Sequence, residues 1–459
     1  MLQPQTTLNG QVDAVDQVRW SLPTRIAFRL CFCYLLPCGM SCLFNYALSQ
    51  SQFTPTPFWK SLSAHDPWQG ILPWVCRHVF NVHKKIMIVP DADLLSGYLQ
   101  RLFQLILSLV ITAIWSLVDR KRLNYRTLYG WLTLYLRFAL AIALFNYGWD
   151  KVFPLQFRAV TPLRLIRPIG DLSLEGMLWT FMAASNPYTI FSGTLEVLAG
   201  ALLLVPRLEM LGALLSVAVL GNVVALNYAY DIRVKMFSTH LLLISIFLAA
   251  PVLLRMADWL ILRRVPSPMI QARLSNQIWI ERGARIAMVV LAMVLCILSF
   301  TTQRGRYAKR QAASVAAQTL PLHGVWVVDS FSVQSAGSPS LLTAKLQQEY
   351  GIGPIDHWIY LSFDTPKKLR IGLKENALDS VDFALVLDKQ TSTGKMELTN
   401  SLDPAWNASL ALQQTGENLL NMQGTVNGIP ISAKLHRREI PDFPLTQEKI
   451  QFIQPEPEN

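Results

Sequence analysis

The stretch Phe191–Leu204, which reads FSGTLEVLAGALLL, carries a single ionisable residue, Glu196, among apolar and small residues. It lies within the run Tyr188–Val205, close to the length of about 20 residues that spans a bilayer. Gly193 and Gly200 are seven residues apart, so on a helix they share a face that a neighbouring helix can approach closely. This pattern favours a Glu196 that is buried in a helical bundle over one that faces lipid.

The composition of the whole chain indicates the same class of protein. Of the 459 residues, 52% are hydrophobic and 15% are charged, whereas soluble domains have about 25% charged residues. With a mean hydropathy of +0.30, these values exclude a disordered chain and a charged coiled coil, and they argue against a soluble enzyme. The net charge of +11 is typical of the Lys- and Arg-rich loops of membrane proteins. We therefore expect the lipid bilayer, and not nucleic acid, to be the partner of this charge.

Seven apolar runs are long enough to be transmembrane helices. They are Leu30–Leu48, Leu102–Val118, Leu128–Trp149, Tyr188–Val205, Leu211–Tyr230, Met236–Leu254 and Ile286–Gln303. The first 24 residues are polar, so a cleavable signal peptide is not expected. Two amphipathic runs, Pro73–Val89 and Leu174–Ser185, predict helices that lie at the membrane surface.

The basic loops predict the orientation in the cell membrane. Asp119–Arg126 is short and strongly basic, and the stretch Arg255–Arg282 contains five arginines, so both are expected in the cytoplasm. Seven spans then place the N-terminus in the cytoplasm and everything after Gln303 outside it. Four basic residues on the outer side run against the rule: Lys151, Arg158, Arg164 and Arg167.

After Arg304 the sequence changes to short β-type runs separated by turn residues. Eight strands are predicted, at 322–333, 357–363, 369–373, 381–388, 395–399, 408–413, 418–426 and 429–437. Asn427-Gly428 between the last two is a strong signal for a tight hairpin. The fold class is therefore a membrane α-helical bundle followed by an extracytoplasmic all-β domain, either an up-and-down barrel or a sandwich. The predicted domains are 1–127, 128–256, 257–303 and 304–459, in which 128–256 is a four-helix unit.

Six polar residues within or at the ends of the spans are candidates for an intramembrane ligand or cofactor site. They are Glu196, Arg137, His240, Asn222, Asn227 and Lys151. A charge at mid-bilayer costs about 2.5–3.5 kcal/mol on insertion scales, so such residues usually face the bundle interior and pair there. Two interpretations stay open: the six hold helices together, or they form a polar pocket that binds a small ligand or relays protons. By depth, Arg137 and His240 are predicted as partners of Glu196 ahead of Lys151.

The cysteines and histidines do not predict a metal centre. Cys31, Cys38 and Cys42 share one helical face by their spacing, which suits a redox or metal site but is more typical of small packing residues. The seven histidines have no metal-ligand spacing. No phosphate-binding loop, dinucleotide fingerprint or nucleophile elbow is present.

The run Phe191–Leu204 resembles the G-x-x-E-x-x-x-G-x-L-L-L core of DoxX-like membrane proteins, and Tyr147–Lys151 resembles the G-x-x-K end of that family's first helix. The resemblance covers about residues 130–255 and implies a four-helix membrane unit. Some DoxX-like proteins are subunits of thiosulfate:quinone oxidoreductase, and others associate with redox-stress enzymes. The resemblance thus implies a quinone cofactor and a redox partner protein as candidates. The segment Leu226–Lys235 also resembles, more weakly, the membrane part of vitamin-K-dependent carboxylase relatives.

The opening of the β region, Leu322-His323-Gly324-Val325-Trp326, resembles the first strand of lipocalin-like barrels, whose Gly-x-Trp motif closes one end. Such a barrel either holds one small apolar ligand or is filled by its own side chains, and both alternatives stay open. Two functions follow. The first is a quinone- or thiol-linked redox subunit of the DoxX-like kind. The second is a non-catalytic membrane scaffold or lipid-handling protein that presents the barrel outside; whether the chain is an enzyme is left open.

Overall fold

The computed structural model describes residues 19–53, 55–83, 92–157, 162–166, 168–265, 274–275, 277–318, 322–333, 358–365, 368–373, 381–388, 393–399, 407–439, 443 and 445. The chain divides into two compact units. The first, the helical unit, comprises residues 1–158 and 173–307, and the second, the β unit, comprises 159–172 and 308–459.

The described residues form eleven α-helices. They are α1 Leu22–Phe53, α2 Pro57–Ala64, α3 Pro67–His78, α4 Leu95–Val118, α5 Arg126–Val152, α6 Pro162–Ile166, α7 Leu174–Ala184, α8 Asn186–Leu204, α9 Glu209–Ala229, α10 Lys235–Leu260 and α11 Ile278–Gln318, with a 3-10 turn at Ile169–Asp171. Seven of them, α1, α4, α5, α8, α9, α10 and α11, are long and apolar enough to cross a membrane. These seven coincide with the seven predicted runs, so the predicted number and order of long apolar helices are confirmed.

The two predicted surface helices differ in outcome. The helix predicted at Leu174–Ser185 is confirmed as α7, which Ser173 caps by accepting a hydrogen bond from the backbone of Gly176. The prediction Pro73–Val89 is wrong in its start and end, because α3 begins at Pro67 and ends at His78. Asp66 caps its first turn and Pro67 occupies the first helical position, a combination that starts helices. Residues 84–89 of that prediction lie outside the described residues.

Helix α5 is the centre of the helical unit. Two thirds of its most apolar window is buried, and it packs against α8, α1 and α10. Its buried leucines Leu132, Leu136, Leu140 and Leu144 join one hydrophobic cluster with side chains of α1, α8, α9 and α10. By contrast, α4 and α11 expose apolar side chains along much of their length, as helices surrounded by lipid do.

Charged side chains at the helix ends fix which ends lie together. At the start of α1, Arg25 donates to the carbonyls of Arg120 and Arg122 in the loop between α4 and α5, and Arg29 donates to that of Asp119. The start of α1 therefore lies beside the start of α5. We call this end of the helical unit, where α1, α5, α9 and α11 begin, the basic end.

A carboxylate caps α10 at the opposite end. Helix α10 has no capping side chain of its own. Asp93, just before α4, accepts hydrogen bonds from the backbone N–H groups of Lys235 at 2.7 Å and Met236 at 2.9 Å. A carboxylate at a helix N-terminus satisfies open N–H donors and complements the helix dipole. This contact places the starts of α4 and α10 at the same end.

The β unit contains the eight predicted strands. They are β1 Gly324–Val333, β2 Trp358–Thr365, β3 Lys368–Leu373, β4 Val381–Asp388, β5 Thr393–Thr399, β6 Asn407–Gly416, β7 Leu419–Val426 and β8 Ile429–Arg438. Each strand pairs antiparallel with the next, and β1 pairs with β8, so the order is that of a closed up-and-down barrel. Of the two predicted alternatives, the barrel is therefore confirmed over the sandwich. The β3–β4 pairing is short, with two residue pairs.

Apolar side chains fill the described interior of the barrel. Alternate residues of β6 and β8 point inward and are buried, among them Leu410, Leu412 and Leu435. Trp326, near the start of β1, is 1% exposed and donates from Nε1 to the carbonyl of Leu322 at 2.9 Å, so its indole is a buried part of this core. The described side chains favour a filled barrel over one that encloses a ligand.

A substitution at Gly424 tests the close contact of β6 with β7. A methyl group at Gly424 would overlap the carbonyl oxygen of Ser409 and lie 2.8 Å from the Cα of Leu410, whereas one at Gly416 would meet nothing within 4 Å. We expect Gly424→Ala to destabilise the barrel by about 2 kcal/mol or more, and Gly416→Ala to change it by about 0.5 kcal/mol or less. Hydrogen exchange of peptides from residues 407–438 in the full chain measures both. Equal exchange in the two variants would contradict the described register.

Candidate functional site

A buried ion pair joins α5 to α8 in the interior of the helical unit. Lys151 donates from Nζ to both carboxylate oxygens of Glu196, at 2.7 and 2.8 Å. Glu196 is 2% exposed and Lys151 6%. The prediction that Glu196 is buried in the bundle is confirmed.

Glycines bring the two helices close enough for this pair to form. A Cβ atom at Gly193 would lie 2.6 Å from the carbonyl oxygen of Gly148 and 2.7 Å from the Cβ of Lys151. Gly200, two turns further along α8, faces Phe145 and Ala141 of α5 in the same way. The shared face predicted for Gly193 and Gly200 is therefore the face that packs on α5.

The predicted ranking of partners for Glu196 was wrong. Arg137 and His240 were ranked first by depth, but Lys151 is the partner. It lies one turn beyond Gly148, at the point where the two backbones approach, and its long apolar stem lets the ammonium reach inward. Depth along a helix does not reveal the direction in which a side chain points, so it could not identify the partner.

Arg137 belongs to a different ion pair, at the basic end. Its Nη1 lies 2.7 Å from Oε2 of Glu209, the first residue of α9. Both side chains are a little under one fifth exposed. Glu209 was not among the predicted site residues, although an acidic residue at the start of an apolar run is a recognisable helix-start signal.

His240 pairs with Tyr34, at the interface between α10 and α1. Its Nδ1 lies 2.6 Å from the carbonyl oxygen of Met236, and its Nε2 lies 2.8 Å from the hydroxyl of Tyr34. A carbonyl can only accept, so Nδ1 carries a proton. In the neutral imidazole Nε2 is then the acceptor of the Tyr34 hydroxyl proton. The geometry is that of a hydrogen-bonded pair in which His240 is buried and Tyr34 is half-buried.

The two predicted asparagines do not join the other site residues. Asn227 is buried and donates from Nδ2 to the hydroxyl of Ser238 at 2.9 Å, which links α9 to α10. Asn222 is exposed. The six predicted residues are therefore distributed over separate contacts, and the expectation that they line one polar pocket is corrected.

Beside the Lys151–Glu196 pair, polar side chains of α5 and α11 meet. Asp150, the neighbour of Lys151, pairs with Arg306 of α11 at 2.8 Å, and Arg306 also contacts Gln303. Ser299 and Gln303 are fully buried on the same helix. Among the described residues, no partner is found for the Ser299 hydroxyl or the Gln303 amide nitrogen. The Asp150–Arg306 ion pair links α11 to α5.

Charged side chains line a larger and a smaller cavity among the described residues of the helical unit. The larger, of about 200 Å³, is at the basic end between α5, the turn from α8 to α9, α10 and α11, and Arg137, Arg207, Glu209 and Arg285 line it. The smaller, of about 60 Å³, is lined by Asp66, Arg101 and other polar side chains from α1, α3 and α4. Burial raises the pKa of the Asp66 carboxyl above its ordinary value, while the backbone N–H of Trp68 and the charge of Arg101 act in the opposite direction.

The cysteines act as packing residues in the described structure. All six carry free thiols. Cys38 and Cys42 are buried in the main hydrophobic cluster, and Cys31 packs against it. Cys38 also contacts Gln104, whose Nε2 lies 3.1 Å from the sulfur. Among the described residues, no group of three or more His, Cys, Asp or Glu side chains could hold a metal ion.

One relative places the chain in a family. The chain is 39% identical over 114 residues to the uncharacterized protein YwoB of Bacillus subtilis (strain 168), a match that covers 24% of this chain and 71% of that protein. The chain belongs to the family of YwoB. No family model and no solved structure matches it.

The Lys151–Glu196 pair generates a prediction about stability. Glu196→Gln leaves the Lys151 ammonium buried without its counter-ion, so it should destabilise the helical unit by about 3–5 kcal/mol. The double variant Glu196→Gln/Lys151→Met removes both charges and should recover most of that loss. Thermal unfolding of the full chain in detergent, followed in parallel for all variants, measures the difference.

Glu175→Gln is the matched control, because Glu175 pairs at 3.5 Å with Arg233, whose side chain is 84% exposed. Removing one partner of such an exposed pair changes stability by about 1 kcal/mol or less. If Glu196→Gln melts like Glu175→Gln, the carboxylate of Glu196 does not carry a buried charge, and the pair has no role in stability.

Proposed function

We propose that the chain is a multi-pass protein of the cytoplasmic membrane that acts as a scaffold, with the N-terminus in the cytoplasm and the β barrel presented outside. The observation that carries this proposal is the succession of seven long apolar helices before a separate β unit. An odd number of crossings puts the start of α1 and the end of α11 on opposite sides of the bilayer.

The distribution of charge supports the orientation. The basic end contains Arg25 and Arg29 together with the loop Asp119–Arg126. Alternating crossings bring the arginine-rich end of α10 to the same side. Positive charge in short loops marks the cytoplasmic side of membrane proteins.

The described barrel interior favours presentation over transport of a lipid inside the barrel. Eighteen buried hydrophobic side chains of the described residues form one continuous core there. A barrel filled in this way offers its outer surface and loops for contacts. The lipocalin-like resemblance remains a proposal about the shape of the domain.

A DoxX-like redox subunit is the second candidate function. Two features support it. Helix α5 packs on α8, α8 on α9, α9 on α10 and α10 on α5, a closed arrangement of four helices. The Tyr34 hydroxyl is hydrogen-bonded to the imidazole of His240, and both are groups that can carry protons. Quinone reduction consumes protons as well as electrons. On this hypothesis, solvent extraction of the protein purified from membranes releases a quinone in proportion to protein, and Tyr34→Phe lowers that ratio.

Reporter fusions test the proposed topology. Fusions of a cytoplasm-active reporter after Arg122 and after Arg264 should be active, because both positions follow basic loops at the basic end. A reporter that is active only outside the cytoplasm should be active after Gln318. Cytoplasmic activity of the fusion after Gln318 would overturn the seven-span arrangement and, with it, the presentation of the barrel outside.

A further inference from the structure

We propose that the cavity at the basic end of the helical unit binds the phosphate group of an anionic phosphate ester, in the first place an anionic phospholipid. The proposal goes beyond the scaffold function, since it assigns a ligand class to a site that this function does not use. It rests on the charge, the donors and the walls of the cavity.

The charge of the lining is positive. Three arginines, Arg137, Arg207 and Arg285, line the cavity against one carboxylate, that of Glu209. Glu209 pairs with Arg137 through one nitrogen and one oxygen, and Arg285 pairs with Glu281 at 2.7 Å. Arg207 is exposed. A guanidinium has five N–H donors, so a single contact to a carboxylate leaves donors in Arg137 for an anion.

Backbone geometry adds to this preference for anions. Helix α9 begins at Glu209, and no side chain of the described residues caps it through a hydrogen bond. Its first N–H groups and its dipole therefore favour a negative charge beside the cavity. Arg207, two residues before, has φ +74, a left-handed conformation that an arginine rarely adopts. Such outliers concentrate at functional sites.

The walls and the position favour a lipid as the source of the phosphate. Between the arginines the cavity is lined by apolar residues of five helices, including Leu203, Leu248 and Met288. Its volume of about 200 Å³ holds several water-sized groups. Its lining includes Arg207 in the turn between α8 and α9, and the proposed topology puts this turn on the cytoplasmic side, where the headgroups of that leaflet are expected. Basic pockets between transmembrane helices at this level bind anionic headgroups.

Arginine is suited to such a ligand because its planar guanidinium donates two parallel hydrogen bonds to a phosphate. A carboxylate ligand would meet the same donors. The phosphate is favoured because it offers more acceptor oxygens to three arginines that approach from α5, from the turn before α9 and from α11.

Native mass spectrometry of the full chain in a neutral detergent tests the proposal. The protein is titrated with phosphatidylglycerol, with phosphatidylcholine and with glycerol phosphate. We expect phosphatidylglycerol to bind one to one and more tightly than phosphatidylcholine, whose phosphate is neutralised by its own cation. The double variant Arg207→Gln/Arg285→Gln should bind about tenfold more weakly or worse, because it loses charge-assisted hydrogen bonds.

Arg264→Gln is the matched control, since Arg264 is exposed, follows α10 and does not line the cavity. The Arg264→Gln variant should bind phosphatidylglycerol within about twofold of the unmodified chain, as expected when no hydrogen bond is lost.

If glycerol phosphate binds as tightly as phosphatidylglycerol, the cavity is a phosphate site, and its ligand is a soluble phosphate ester and not a lipid. If the double variant does not melt cooperatively, Arg207→Gln alone replaces it. No preference for either anion over phosphatidylcholine, or unchanged binding by a folded variant, overturns the proposal.

Discussion

The close approach of α5 and α8 at Gly148 and Gly193 is the contact on which the helical unit depends. A side chain at either glycine would collide with the backbone of the other helix. Because the backbones meet there, Lys151 reaches Glu196 within the bundle, and the two buried charges satisfy each other. Desolvation makes such a pair weak evidence for added stability, but the loss of one partner is strongly unfavourable. The pair therefore fixes the relative position of the two helices.

The other helices are arranged around this contact. Helix α5 carries two further interhelical ion pairs, Arg137 to α9 and Asp150 to α11. Its buried leucines form part of the apolar core shared with α1, α8, α9 and α10. Arg137 lies near the middle of α5 and pairs with the first residue of α9, whereas Asp150 and Lys151 lie in the last turn of α5. The larger cavity lies at the basic end of the bundle.

The sequence predicted the elements well because their signals are local. Apolar runs of span length predicted the seven long apolar helices of the described residues, and β-type runs with the Asn427-Gly428 turn predicted the eight described strands. The pairings could not be predicted in this way. Depth placed Arg137 and His240 near Glu196, but their side chains point to Glu209 and Tyr34, since a pairing depends on helix rotation. The cavity was missed because its arginines come from three distant segments, and its acidic member, Glu209, precedes the predicted span Leu211–Tyr230 and was not considered.

The most direct test of this account is the stability of Gly193→Ala against that of Gly221→Ala. A methyl group at Gly193 meets the Gly148 carbonyl oxygen at 2.6 Å and Lys151 at 2.7 Å, whereas one at Gly221 of α9 meets nothing within 4 Å. Thermal unfolding of both variants in detergent should show Gly193→Ala destabilised by about 1–3 kcal/mol or more, with Gly221→Ala unchanged or slightly stabilised. A Gly193→Ala variant that melts like the unmodified chain would show that α5 and α8 do not meet at these glycines, and it would contradict the arrangement built on that contact.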